Sequence, residues 1–444
     1  VALVVCVVVS ACSGSGEPSA TNPTTATSTS ISALTSTSAT LPSSTAPTTT
    51  VAPAWTVNTS GCLDPAQATE PLGDVVRLGV IGPTGQGLRA AAAIGVVDGM
   101  RAFYDLANRE GLVPGVTIEL VVGDDAGDPG ASVAIMAGLL DEGVELFSGN
   151  IGTPTNVALR GELNSRCIPQ LFALSPAAGW DAVLQSPWTT GGMASVSLEA
   201  RAIVADADRV GARSFGILYA DNDIGRFYRD ALSGSVGDPA RVIAGQAVDP
   251  AQPVVAAETV APLAAARPDA VLLAPVAAGC VTALTSLEPL ITAEWQPRVY
   301  MPQSCMNRLT ARLAGDASDD VFTVSEVIDV VDPANAAVPA MVQFTQSLTL
   351  QPSPLYLNNA AFGWHIAELT TAVLAEAARS PDGLTKVSII EAARSMDATS
   401  GLAWSGARFV TDGLADAVPS SAVQVVRWDG EAGVFRPEGP LFEG

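Results

Sequence analysis

The sequence predicts an α/β protein built from two parallel-sheet halves. From residue 75 onwards, short apolar runs of strand type alternate with segments of helical spacing, the order of a parallel sheet with crossover helices. Pro and Gly gather at 186–193, and the βα pattern then restarts. At 444 residues the chain is long for one ordinary domain, and its 48% hydrophobic content is enough for two cores.

The first half opens with a strand at 75–81, followed by the turn Gly82-Pro83-Thr84-Gly85-Gln86-Gly87. A long helix over 90–109 carries Ile94, Val97, Ala102 and Leu106 as its apolar positions. The next strand, 116–122, runs into Gly123-Asp124-Asp125. A helix over 131–140 has Asp128 as its N-cap and Pro129 at its first position. A strand at 145–148, helical spacing at 157–163 and a strand at 168–174 complete the half. The last two strands end in small-residue loops, Gly149-Asn150-Ile151-Gly152-Thr153-Pro154 and Ser175-Pro176-Ala177-Ala178-Gly179. Parallel strands joined by one helix bring both loops to the carboxyl edge of the sheet, where open α/β sheets bind ligands. Small side chains admit a ligand to the backbone, and Thr153 and Ser175 add hydroxyls. This is one wall of a small-molecule site, with no catalytic group evident in it.

The second half begins with a helix over 196–208 and a strand at 214–219. The loop Ala220-Asp221-Asn222-Asp223-Ile224-Gly225 leads into a helix to about residue 232. Strands at 241–247, 270–274 and 298–301 alternate with helices near 254–265 and 281–290. A second break near 325–333 precedes helices over 356–378 and 385–396. The runs 423–428 and 433–435, around Asp429-Gly430, form a terminal hairpin.

A net charge of −23 argues against nucleic acid and against charge-driven binding to anionic lipid, which both need basic patches. His365 is the only histidine and Lys386 the only lysine. Counting therefore argues against a His-based zinc site, a Ser-His-Asp triad, a P-loop lysine and a Schiff-base lysine. The glycine-rich turn at 82–87 has neither dinucleotide nor P-loop spacing and reads as a cleft-lining turn. Asp124, Asp125 and Asp128 read as turn and cap residues rather than a cation site. His365, inside a helix, reads as structural. Trp180 is either a cover over the ligand or a buried anchor. Neither a metal, a cofactor nor a catalytic residue is expected, and the chain is read as not an enzyme.

The N-terminal run ends in Val9-Ser10-Ala11-Cys12, which resembles the bacterial lipobox. Residues 1–11 then form a lipoprotein signal peptide, and Cys12 carries the lipid that ties the chain to the membrane. Residues 12–60 form a Ser/Thr/Pro-rich linker too poor in apolar surface to fold, with an r.m.s. reach of roughly 35–40 Å. Cys62, Cys167, Cys280 and Cys305 remain, an even number that reads as two disulfides in an exported chain. Pairing Cys62 with Cys167 and Cys280 with Cys305 keeps each bridge within one half. Four buried free thiols are the alternative.

The order of elements from residue 75 onwards resembles the type I periplasmic solute-binding proteins of ABC importers, in the branched-chain (leucine/isoleucine/valine-type) amino-acid-binding group. The resemblance rests on Gly82-Pro83-Thr84-Gly85, on Asp124-Asp125 with Asp128-Pro129, and on Ser175-Pro176-Ala177-Ala178. Tyr219-Ala220-Asp221-Asn222-Asp223-Ile224-Gly225, Arg267-Pro268-Asp269 and Ser405-Gly406-Ala407-Arg408-Phe409 continue it. It implies two doubly wound parallel-sheet lobes joined by three hinge crossovers, near Thr190, Val327 and Val410. Lobe 1 would comprise 61–190 and 327–410, and lobe 2 191–326 and 411–444. It also implies a monomer, anchored to the outer face of the bacterial cell membrane, that captures an amino-acid-like solute between the lobes and delivers it to permease subunits.

In the family, first-lobe hydroxyls and amides grip the ligand carboxylate. The matching positions are Thr153, Ser175, Ala177 and Ala178, with Thr84 on the neighbouring turn. Tyr219, Gln303 and Glu326 are the second-lobe candidates. The sequence departs from the family at Gly179, where a Thr hydroxyl is common, and at Gln303, where a Glu often pairs the ligand ammonium. Val276 lies where a tyrosine is expected. Glu326 and Asp329, near the second crossing, are either polar hinge residues or, for Glu326, the partner of the ligand ammonium in place of Gln303. A ligand-sensing receptor of the same fold, without transport, is the alternative function, and an exported α/β enzyme is a third.

Overall fold

The computed structural model describes residues 55–444 except Gly87, Ala178, Asp181, Pro253, 349–352 and Ala415. The leader and most of the linker, with Cys12, lie outside the described residues. The first half runs α1 (Pro65–Thr69), β1 (Val75–Gly82), α2 (Leu88–Glu110), β2 (Thr117–Asp124), α3 (Pro129–Asp141), β3 (Leu146–Ser148), α4 (Thr153–Ser165), β4 (Gln170–Ala173) and β5 (Thr189–Gly191). Its five strands are all parallel, in the order β2-β1-β3-β4-β5. Asp128 caps α3 by accepting the Gly130 N–H at 2.8 Å, with Pro129 in the first turn as the sequence predicts.

The second half runs α5 (Val196–Arg209), β6 (Phe215–Ala220), α6 (Asp223–Ser235), β7 (Val242–Val248), α7 (Ala257–Ala266), β8 (Ala270–Ala274), α8 (Gly279–Leu287), β9 (Arg298–Tyr300), α9 (Arg308–Ala314) and β10 (Phe322–Ser325). The chain then forms α10 (Pro339–Ser347), α11 (Leu357–Ala377), α12 (Lys386–Arg394), β11 (Asp397–Ala398) and β12 (Phe409–Val410). It ends in β13 (Ala422–Asp429), β14 (Val434–Pro437) and β15 (Phe442–Glu443). The second sheet has the order β14-β13-β10-β9-β8-β6-β7, with β15 on β13. β6 to β10 are parallel. The terminal hairpin adds to this sheet with β13 antiparallel to β10, so the second sheet is mixed at one edge.

α10, α11 and α12 return to the first sheet. Their apolar faces share one core with α2, β1 and β4. α2 and α11 cross at close range because glycines face backbone there: a Cβ on Gly99 would run into the Ala360 carbonyl, and one on Gly363 into that of Val96. Trp364 fixes the contact, edge-on to Phe103 at 4.9 Å and to Phe344 at 5.6 Å. The second half has its own cores on the two faces of its sheet. The molecule is thus two lobes, each an α/β sheet covered by helices, the first all parallel and the second parallel apart from its terminal strands.

The chain passes between the lobes at three places. It leaves β5 for α5, leaves β10 for the Val327–Ala403 bridge, and leaves β12 for β13. On the last passage Ala417 accepts the Gly191 N–H at 3.0 Å, and Ser420 bridges Phe409. Disulfides join Cys62 to Cys167 and Cys280 to Cys305, with Cα separations of 5.4 and 5.5 Å. The second bridge spans the ends of β8 and β9, which are neighbours in the sheet. Among the described residues, no helix is long and apolar enough to cross a membrane.

Candidate ligand site

The order β2-β1-β3-β4-β5 reverses direction between β1 and β3, and β7-β6-β8-β9-β10 does so between β6 and β8. Each reversal opens a crevice at the carboxyl edge of its sheet, the place where α/β sheets receive ligands. In the first lobe the loops after β1, β3 and β4 meet there. Asp124 binds the turn after β1 by accepting the Thr84 N–H at 2.9 Å. Asp125, buried, accepts from the Gly127 N–H, the Ser132 hydroxyl and the Thr155 hydroxyl, joining the β2 loop to α3 and α4. These carboxylates serve turns and caps, as the sequence reading has it.

α4 starts four residues earlier than its apolar spacing predicts. Gly152 is its N-cap at φ 101°, and Thr153 is its first residue. Gly152 offers no side chain to cap the helix, so the first amides of α4 are left to other partners. The Thr153 and Ser175 hydroxyls lie 2.7 Å apart, and the Ala177 N–H donates to Ser175 Oγ at 3.3 Å. The structure therefore brings Thr153, Ser175 and Ala177 together beside a helix N-terminus, an arrangement that favours an anion. Ala178 lies outside the described residues. Trp180 is buried, with Arg160 5.2 Å from its ring centroid and bonded to the Gly179 carbonyl at 3.0 Å. Of its two readings, this geometry is that of an anchor.

In the second lobe Gln303 and Glu326 come together. Gln303 Nε2 donates to Glu326 Oε2 at 3.1 Å, and the Gln303 N–H donates to Glu199 Oε2 at 3.1 Å. The other oxygen of Glu199 accepts from the Tyr228 hydroxyl at 3.1 Å. Glu199 and Glu326 are both buried. Burial raises both carboxyls above their ordinary range, and Glu199 reaches about 8; Gln303 and Tyr228 oppose that rise, and Glu326 adds to it. Among the described residues, Glu326 Oε1 and Gln303 Oε1 are buried and complete no hydrogen bond, and the Ser420 hydroxyl lies beside Glu326.

Tyr219, at the carboxyl end of β6, has Arg229 5.4 Å from its ring centroid and packs against the core shared by α5 and α6. Asp329 is fully engaged: it takes both oxygens to Arg308 at 2.7 Å and accepts the Phe435 N–H. His365 sits buried between Phe362 and Phe409, its pKa pushed down to about 3 by burial, and stays neutral.

The two walls touch directly. The Val196 N–H, in the first turn of α5, donates to the Pro176 carbonyl at 3.2 Å. This connects the Ser175–Ala177 loop to the helix that carries Glu199. Sequence reasoning missed Glu199. Its signal is a carboxylate on the apolar stripe of α5, one turn before Ile203 and two before Ala207. A separate hollow of about 570 Å³, lined by Ala212, Asp269, Arg298 and Phe322, lies at the amino edge of the second sheet, opposite the loops described here.

Two parallel α/β lobes joined by three passages, with small polar loops at their carboxyl edges, define a bilobal binding protein. The chain belongs to the periplasmic binding protein family, whose profile matches residues 75–433. Several solved structures share the fold. A possible leucine/isoleucine/valine-binding protein from Rhodopirellula baltica SH 1 has 16% identity and a TM-score of 0.65, over 85% of this chain and 98% of its own. An ABC transporter solute-binding protein from R. palustris, in complex with 4-hydroxybenzoate, has 16% identity and a TM-score of 0.68, over 83% and 97%. A fatty acid ABC transporter substrate-binding protein from Thermomonospora curvata has 18% identity and a TM-score of 0.65, over 84% and 93%. A search of curated protein sequences gave no significant match.

Proposed function

We propose that this chain is the extracytoplasmic solute-binding component of an ABC importer. It captures a small amino-acid-like solute between its lobes and delivers it to permease subunits, acting as a monomer held to the membrane by lipid on Cys12. Association is the whole function, and no residue is assigned a catalytic role. The observation that carries the reading is the pairing of two unlike walls: Thr153, Ser175 and Ala177 beside a helix N-terminus, and Gln303 with Glu326 across the Val196–Pro176 contact.

The first wall suits a carboxylate, which accepts from hydroxyls and amides and gains from the helix dipole. Leucine, 4-hydroxybenzoate and fatty acids, named for the structural neighbours, all bear one. The second wall offers acceptors, so it selects a donor such as an ammonium. Gln303 is neutral, and Glu326 supplies the negative charge. Thr84, on the turn beside the first wall, and Tyr219, in the second lobe, are proposed as further ligand contacts, as is Ala178, which lies outside the described residues.

A thermal-shift screen with amino acids, amides, short peptides, polyamines and aromatic acids tests this. The true ligand stabilises the folded chain by mass action, by about 2.7 kcal/mol at a hundredfold excess over Kd, and so raises the midpoint. Glu326→Gln should weaken an aminated ligand about tenfold or more and leave a deaminated analogue unchanged. An unaltered affinity for the aminated ligand removes Glu326 from the site. Intact mass of the chain from membranes tests the lipid on Cys12.

A further inference from the structure

Glu199 and Glu326 pose a problem that ligand capture alone does not resolve. Both are buried, both hang on one glutamine, and among the described residues no basic side chain acts on either. The groups acting on Glu199 are the Gln303 amide, the Tyr228 hydroxyl from α6, and Glu326. Those acting on Glu326 are the Ser420 hydroxyl, Gln303 and the Ala194 amide. Ser304 adds a hydroxyl beside Tyr228. β10 and β13, which pack on α5, meet it with Val324, Val423 and Val425. Two buried carboxylates whose neighbours are hydroxyls, amides and apolar side chains cannot both stay ionised cheaply.

A second observation points to a missing donor. Among the described residues Glu326 Oε1 and Gln303 Oε1 complete no hydrogen bond, although the buried Ser420 hydroxyl and the Ala194 amide lie beside the Glu326 carboxyl. The place is also mechanically central. Ala194 follows the first passage between lobes, Glu326 begins the second and Ser420 ends the third. α5, which carries Glu199, holds the first-lobe loop through Val196.

We propose that Glu199, Gln303 and Glu326 form a proton-holding chain that exchanges its proton for the cationic group of the ligand. This rests on the reading of the cleft given above. In the free chain one carboxyl keeps a proton, which lowers the negative charge of the cluster. An arriving ammonium donates to Glu326 Oε1 and Gln303 Oε1, the proton leaves to solvent, and the charge of the site is the same before and after. Glu199 is a positioning residue here. It touches the ligand only through Gln303, whose backbone it fixes. A ligand without a cationic group displaces no proton, so its binding is insensitive to the chain.

Calorimetry on the full chain at neutral pH, in two buffers of different ionisation enthalpy, tests the exchange. The probes are L-leucine, L-phenylalanine and L-glutamine, each against the same acid without its amino group. For an amino acid that binds, the heat should differ between buffers by the release of up to about one proton, and its deaminated partner should show no difference. Glu199→Gln should abolish the release while the folding midpoint is retained, and Tyr228→Phe, which keeps the core volume, should reduce it. A merely structural role for Glu199 would move stability but not the proton count. Amino-acid binding without proton release overturns the exchange and leaves the proposed function standing. If none of the probes binds, the amino-acid-like reading fails and the exchange fails with it.

Discussion

Ser175 shows how much one side chain carries in this site. Its hydroxyl meets Thr153 and also accepts the Ala177 N–H, so it fixes both the start of α4 and the loop after β4. Ser175→Ala leaves the Thr153 hydroxyl and the Ala177 amide without that partner. Affinity for a carboxylate ligand should fall about fivefold, at ~1 kcal/mol for a lost hydrogen bond, with little change in the unfolding midpoint. Titration calorimetry and urea unfolding on the same variant separate the two effects. An unchanged affinity would take the hydroxyl out of the carboxylate wall. Ser175 was legible in the sequence because a small-residue loop after an apolar strand has few other uses. Glu199 was not, since an isolated Glu in a helix is ordinarily solvated, and only the tertiary contact with Gln303 reveals its burial. Gln303 was found as a departure from a family pattern, while its bond to Glu326 depends on the adjacency of β9 and β10.

At the scale of elements, what could be read was the long and the periodic. β1, β2, α2, α3, α5, α11 and the terminal hairpin all came from runs whose spacing states their period. β5 and β10 did not, being three and four residues long. β5 consists of two threonines and a glycine in a Pro/Gly-rich stretch and pairs only because the sheet edge is there to receive it. α9 and α10 are similarly short and were passed over. The closeness of α2 and α11 was invisible too, because Gly99 and Gly363 lie 264 positions apart in number and match only across the packed interface. Gly363→Ala should cost about 1–3 kcal/mol, since its methyl meets the rigid Val96 carbonyl rather than a side chain that can turn. Urea unfolding measures it. A loss near zero would mean that α11 shifts along α2 at no cost.

For the whole molecule, the placement of the disulfides separates stability from motion. Cys62 and Cys167 belong to the first-lobe core, and Cys280 and Cys305 to a second-lobe core, so neither bridge crosses the cleft. Hinge closure in this fold turns one lobe against the other about the passages between them. Cross-links within a lobe leave that rotation free. Each bridge acts instead on the unfolded chain. The first closes a separation of 105 residues and the second one of 25. Chain entropy makes the longer loop the stronger staple, at about 4.7 kcal/mol for a hundred-residue loop against about 3 for a short one. Replacing Cys62 and Cys167 by alanine should therefore lower the unfolding free energy more than replacing Cys280 and Cys305. Small-angle scattering should still show the same compaction on ligand binding in both variants, at a temperature where each remains folded. Compaction lost in either folded variant would mean that its bridge shapes the hinge, and that the lobes are not the independent bodies their separate cores describe.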